Sequence, residues 1–180
     1  MKKTNKFYHK TIETMDPDRL RSLQEEKLKK QIRYVYENSK FYQDKFKEVG
    51  LIPNDIQSVE DLRKVPFTTK DELRESQEKD PPLGSYAAVD MEKVIRIHSS
   101  SGTTGNPSFV GITRHDQKVW TQITARSIYT WGIRPKDVII HAVGLTLFVG
   151  GLPVKDAIED IGATFVPIGT GARRRSTSQN

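Results

Sequence analysis

Ser99-Ser100-Ser101-Gly102-Thr103-Thr104-Gly105-Asn106-Pro107 stands between two runs that read as strands, Val94-Ile95-Arg96-Ile97 before it and Phe109 to Thr113 after it. Glycines at 102 and 105 let the backbone turn sharply and bring successive N–H groups to one side, which makes a nest for phosphate oxygens. Ser100, Ser101, Thr103 and Thr104 add short hydroxyl donors, and Pro107 fixes the exit. The spacing is not that of a Walker loop, since Gly105 is followed by Asn106-Pro107 instead of Lys-Ser or Lys-Thr. Gly169-Thr170-Gly171 lacks the third glycine and following helix of a dinucleotide fingerprint. From chemistry alone the stretch is either a phosphate cradle or a plain hairpin loop of small residues.

Downstream, Asp116 opens a helix carrying Val119, Trp120, Ile123, Ile128 and Trp131, ended by Gly132, with both tryptophans reading as core anchors. Val138 to Ala142 is an apolar strand, Gly150 to Ile161 a helix stopped by Gly162, and Ala163 to Ile168 a further strand. Strand, helix, strand with short links implies a parallel pair. Upstream, Asp16-Pro17 caps a helix whose stripe is Leu20, Leu23, Leu28, Ile32 and Val35. Ser39 caps a second, with Tyr42, Phe46 and Val49 inward and Gly50 at its end. Ser58 with Asp61, and Thr69 with Glu72, have capping-box spacing. The expectation is therefore an α/β chain: 1–15 a mobile basic arm, 16–84 a helical segment closed by Asp80-Pro81-Pro82-Leu83-Gly84, 85–171 a partial α/β nucleotide-binding core, and 172–180 a polar tail or truncation edge.

The 29 basic and 23 acidic residues among 180 give a charge of +6. The excess sits at the ends, in Lys2, Lys3, Lys6 and Lys10 and in Arg173, Arg174 and Arg175, and the body is close to neutral. A nucleic-acid binder should carry its positive charge as a patch on the body, so nucleic acid is not an expected partner. The absence of cysteine excludes disulfides, thiolate metal sites and cysteine nucleophiles. No apolar run reaches the roughly 18 residues of a membrane span, and a cytoplasmic location is expected. His9, His98, His115 and His141 have no metal-ligand spacing, so no metal site is assigned, and no Gly-x-Ser-x-Gly elbow marks a hydrolase serine.

Ser100-Ser101-Gly102-Thr103-Thr104-Gly105-x-Pro107 resembles the phosphate-binding signature of adenylate-forming enzymes. Its surroundings resemble the phenylacetate–coenzyme A ligase family in particular, its N-terminal portion. The blocks that carry this likeness are Tyr36 to Tyr42, Val65 to Arg74, Val94 to His98 leading into the loop, Leu147 to Leu152, and Ile161 to Ile168. They lie in order from about Asp16 to Gly171. The resemblance implies a partial adenylate-forming domain with a β-hairpin phosphate loop. It also implies a two-step reaction, in which an aryl or arylacetate carboxylate attacks ATP to give acyl-adenylate and diphosphate, and the thiol of coenzyme A then displaces AMP. ATP, Mg²⁺ and coenzyme A follow from the resemblance, as does the placing of Ser100, Ser101, Gly102, Thr103, Thr104, Gly105 and Asn106 around the phosphates. Phe148 would be a stacking wall of the acid's pocket, with Gly150 and Gly151 leaving room for ring or backbone.

Two departures qualify that expectation. Asn106 and Ser108 occupy positions where relatives place lysine, so the loop itself offers no cation, and Val149 and His141-Ala142-Val143 depart from the family pattern beside the acid pocket. Family enzymes are also considerably longer, and the acidic metal-binding motif, the ribose-gripping Asp and the C-terminal catalytic Lys have no counterpart here. The expected protein is a fragment of such a ligase, inactive alone, that self-associates through exposed core or pairs with a complementing C-terminal chain. A related adenylyl transferase acting on a deazaflavin, and a non-catalytic nucleotide-binding remnant, are the alternatives.

Overall fold

Asp16 starts the first long helix because its carboxylate accepts from the N–H groups of Asp18 and Arg19, while Pro17 occupies a position with no N–H to satisfy. The computed structural model describes residues 5–100, 107–146 and 150–169. A short α1 (Lys10–Glu13) precedes α2 (Pro17–Asn38) and α3 (Lys40–Glu48). Ser39 ends α2 and caps α3, its Oγ accepting from Tyr42 N–H at 3.5 Å. Gly50, at φ 67, takes the left-handed turn that follows. Ile32, Phe46, Leu51 and Ile56 bury together beneath these helices, with Leu28, Val35, Tyr36, Tyr42 and Val65 against them.

The second capping box is complete in α4 (Lys70–Lys79). Glu72 N–H donates to Thr69 Oγ1 at 3.2 Å, and the Glu72 carboxylate accepts from Thr69 N–H at 2.6 Å. The first box forms by half: the Asp61 carboxylate accepts from Ser58 N–H, and Val59–Lys64 winds as a 3₁₀ helix. Glu72 also receives the ammonium of Lys45, which is almost wholly shielded and lies over the Phe41 ring. The hydrogen bond from Lys45, then that from Thr69, lowers the Glu72 carboxyl from an ordinary 4.5 to about 2. A depressed acid stabilises the fold above its unfolded pKa and loses that contribution as pH falls through its folded value. Urea midpoints should therefore be level above about pH 5.5 and fall between 4.5 and about 2. The fall should be shallower in Glu72→Gln, and equal slopes in the two proteins would refute the assignment.

Strand β1 (Val94–Ser99) pairs antiparallel with β2 (Phe109–Thr113), from Val94 opposite Thr113 to Ser99 opposite Phe109. A two-stranded parallel sheet forms from β3 (Val138–His141) and β4 (Thr164–Pro167), with Val138 opposite Thr164 and His141 opposite Pro167. The connection between them is α6 (Leu152–Ile161), ended by Gly162 at φ 87. The helix before β3, α5 (Arg114–Thr130), starts two residues earlier than Asp116.

By contacts the described chain divides into two compact units. Lys10–Arg114 is one; residues 5–9 together with those from His115 onward form the other. The compositional division at Gly84 falls inside the first of these. In the second, Ala125, Ile128 and Tyr129 of α5 bury with Ala157, Ile158 and Ile161 of α6, and the two fully buried alanines keep that seam thin. Trp131 is not a core anchor: it is 76% exposed, in the turn after α5, because the inward face runs through Ala125 and Ile128. Tyr8 packs on Tyr129 and donates its hydroxyl to Asp160, and Tyr129 donates to Asn5 O at 2.6 Å. Burial, then the bond to Asp160, pushes the Tyr8 phenol up to about 12. Outward on β3, Val138 and Ile140 stand exposed. No helix among the described residues is long and apolar enough to cross a membrane.

Candidate functional site

The β1–β2 hairpin is closed at its mouth by two serines. Ser100 N–H donates to Ser108 O at 2.9 Å, Ser108 N–H donates to Ser100 Oγ at 3.1 Å, and the two hydroxyls lie 3.1 Å apart. Of the residues expected to surround phosphate, Ser100 therefore spends its hydroxyl on closing the loop. Ser101, Gly102, Thr103, Thr104, Gly105 and Asn106 lie outside the described residues.

Behind the mouth, the outer edge of β2 is gripped at Phe109 by two side chains. Gln77 of α4 accepts from Phe109 N–H through Oε1 at 3.3 Å and donates from Nε2 to Phe109 O at 2.8 Å. Its amide thus does what one residue of a neighbouring strand would do. Gln77 Nε2 also lies 2.6 Å from the Tyr86 hydroxyl, which itself donates to Phe109 O. Burial raises the Tyr86 phenol, keeping it a neutral donor. Both residues are held by the Pro81–Tyr86 segment crossing α4. There Gly84 sits at φ 79, where a Cβ would come within 2.7 Å of Ser76 Oγ and 2.9 Å of the Ser76 carbonyl carbon. Ser76 Oγ in turn accepts from Ser85 N–H at 2.9 Å. Leu83, buried, rests where a Cβ on Gly111 of β2 would be, at 2.6 Å from its Cδ1.

Gln77 and Tyr86 are absent from the sequence-level candidates. A glutamine in Glu75-Ser76-Gln77-Glu78-Lys79 reads as solvated, yet Ser76 and Gln77 are the buried residues of α4. The available signal was that α4 has few apolar residues to bury, so its inward face had to be polar.

Gly150 and Gly151 belong to the other unit, after β3 and before α6, at the carboxyl end of a parallel pair, where ligands gather in open α/β sheets. Gly151 is a glycine for a backbone reason: a Cβ there would lie 2.7 Å from Gly144 O and 2.9 Å from Leu145 Cα. His141, buried at the end of β3, has Nε2 3.3 Å from Gly150 O and its ring 5.1 Å from that of Phe165. Among the described residues its Nδ1 has no hydrogen-bond partner. Phe148 lies outside the described residues. No group of three His, Cys, Asp or Glu able to hold a metal ion occurs among those described.

No family model matches the sequence. Over 169 residues the chain is 42% identical to the phenylacetate–coenzyme A ligase of Thermus thermophilus, a match that covers 94% of this chain and 37% of that protein. The phenylacetate–coenzyme A ligase of Escherichia coli is 44% identical over 160 residues, covering 89% of this chain and 36% of its own length. Among solved structures, 2-hydroxyisobutyryl-CoA ligase in complex with 2-HIB-AMP and CoA superposes with a TM-score of 0.87 at 32% identity, over 94% of this chain and 36% of that one. The chain spans little more than a third of the length of these relatives.

Proposed function

The chain matches an N-terminal portion of the phenylacetate–coenzyme A ligase family, and from that premise we propose that it contributes the polyphosphate-holding hairpin of an AMP-forming acyl–coenzyme A ligase. The observation that carries this reading is the β1–β2 hairpin, whose mouth is closed by Ser100 and Ser108 and whose outer edge is gripped by Gln77 and Tyr86. A loop that must meet a polyanion with amides and hydroxyls works only if those donors are already aimed, because reorganisation would cost what the contacts return. The clamp supplies that fixed base.

In this reading Ser101 to Asn106 receive the outer phosphates of ATP, and Ser100 orients the loop. Gly150 and Gly151 border the pocket for an aryl or arylacetate carboxylate, with Phe148 as its stacking wall. Coenzyme A is the second substrate. Mg²⁺ would neutralise phosphate charge during transfer; no group of three His, Cys, Asp or Glu able to hold it occurs among the described residues. The exposed Val138 and Ile140 mark the face through which the chain would self-associate or meet a complementing chain. A cytoplasmic location belongs to the same proposal.

Two measurements test it. ATP at ten times its dissociation constant should raise the melting temperature of the chain by about 3–6 °C. Pyrophosphate release from ATP with a panel of aryl acids should stay at background, because the acidic motif and catalytic lysine of the family have no counterpart in these 180 residues. Absence of any shift at millimolar ATP would remove the binding proposal, and robust turnover would remove the claim of inactivity.

A further inference from the structure

We propose that His141 is a positioning residue of the carboxylate pocket, holding the Gly150 carbonyl so that the turn into α6 keeps the shape that an aryl or arylacetate carboxylate meets. The inference rests on the reading of Gly150 and Gly151 as the border of that pocket. His141 stands in a stretch that departs from the family pattern, so the resemblance assigns it no role.

The residue is fixed at its backbone and through its ring. Its main-chain carbonyl accepts from Ile168 N–H at 3.1 Å and from Gly169 N–H at 3.3 Å, which ties it to the exit of β4. Its ring is buried 5.1 Å from that of Phe165, and Nε2 lies 3.3 Å from Gly150 O. A carbonyl only accepts, so Nε2 carries the proton and Nδ1 keeps a lone pair. Beyond Gly150, the Gly151 carbonyl accepts from Val154 N–H and Lys155 N–H, both at 3.1 Å, which opens α6. Gly150 is thus held between an anchored strand end and an anchored helix start, and the imidazole joins the two.

Stability does not account for an imidazole at this position. Nδ1 is buried and has no hydrogen-bond partner among the described residues. An unmet buried acceptor costs more than one hydrogen bond of that length contributes. A phenyl ring of similar shape would therefore fold at least as well, since Gly150 is only half-buried and its carbonyl could turn to water. That turn of the carbonyl is the motion the imidazole prevents, and it would reshape the border of the pocket.

The test is amide NMR of the full chain titrated with phenylacetate, in the wild type, His141→Phe and His141→Gln, with melting curves beside it. In the wild type the Gly150 and Gly151 amides should shift as phenylacetate is added, and nitrogen spectra should place the ring proton on Nε2. His141→Phe should melt no lower than the wild type and yet bind phenylacetate about fivefold more weakly. His141→Gln carries an amide donor toward the same carbonyl and should come within about twofold of the wild type. Wild-type affinity in His141→Phe overturns the proposal, as does a ring proton on Nδ1 or a loss in His141→Gln as large as in His141→Phe. A lower melting temperature or a failure to fold in His141→Phe overturns it too, because the residue would then be structural. A wild-type chain whose Gly150 and Gly151 amides ignore phenylacetate overturns the pocket reading, and the role of His141 with it.

Discussion

Replacing Phe46 with alanine should lower the stability of the chain by about 3–5 kcal/mol, the range for emptying a buried aromatic site. Phe46 is 1% exposed, and its ring lies 6.2 Å from that of Tyr36 and 6.3 Å from that of Tyr42. It is the largest of the four buried residues described in that cluster, and the partly buried Leu28, Val35, Tyr36, Tyr42 and Val65 packed there lose contact when the ring is removed. Its carbonyl also accepts from Leu51 N–H at 2.9 Å, which ties the exit of α3 to the same point. Urea unfolding followed by far-ultraviolet circular dichroism measures the effect. Phe46→Leu, which keeps most of the volume, should lose less than half as much. A loss below about 1 kcal/mol in the alanine variant would mean that the helical cluster does not organise the Lys10–Arg114 unit.

Gly84→Ala carries the second large effect, and it reaches the hairpin. A methyl there meets Ser76 Oγ at 2.7 Å, the Ser76 carbonyl carbon at 2.9 Å and Gln77 N at 3.0 Å, in a conformation with φ 79. The left-handed backbone and the collision each cost about 1–3 kcal/mol, so a loss of roughly 2–6 kcal/mol is expected. Two of the three close atoms are backbone of α4, which cannot rotate away. The helix must shift at the residues that hold Phe109, and the grip on β2 loosens. Amide exchange should therefore quicken at Phe109 in Gly84→Ala, whereas in Phe46→Ala the hairpin should keep its relative protection. Unchanged exchange at Phe109 would uncouple the turn from the strand.

The helical part of the fold was legible because its signals are local. Asp16-Pro17, Ser39 and the pair Thr69 and Glu72 cap helices within three residues of themselves, and the structure forms each contact. The parallel pairing of β3 with β4 followed from a single helix between two apolar runs. Long-range polar structure was not legible. Gln77 reaches Phe109 across 32 residues and Tyr86 reaches it across 23, and an uncharged polar side chain has no periodicity that reveals a distant partner. Trp131 failed for another reason: helical spacing shows that residues share a face, not which face the core takes. At Gly151 the resemblance implied room for ring or backbone, and what lies close there is the backbone of Gly144 and Leu145.

The hydroxyl of Tyr8 and the carboxylate of Asp160 are 152 residues apart along the chain, which imposes an order on biosynthesis. The unit from Lys10 to Arg114 is contiguous and can close as soon as it clears the ribosome. Tyr8 emerges before any of it and must wait for α6, a delay on the order of ten seconds at about 5–20 residues per second. During that interval the Tyr8 ring stays unsheltered, so its contacts with Tyr129 and Asp160 close after those of the contiguous unit.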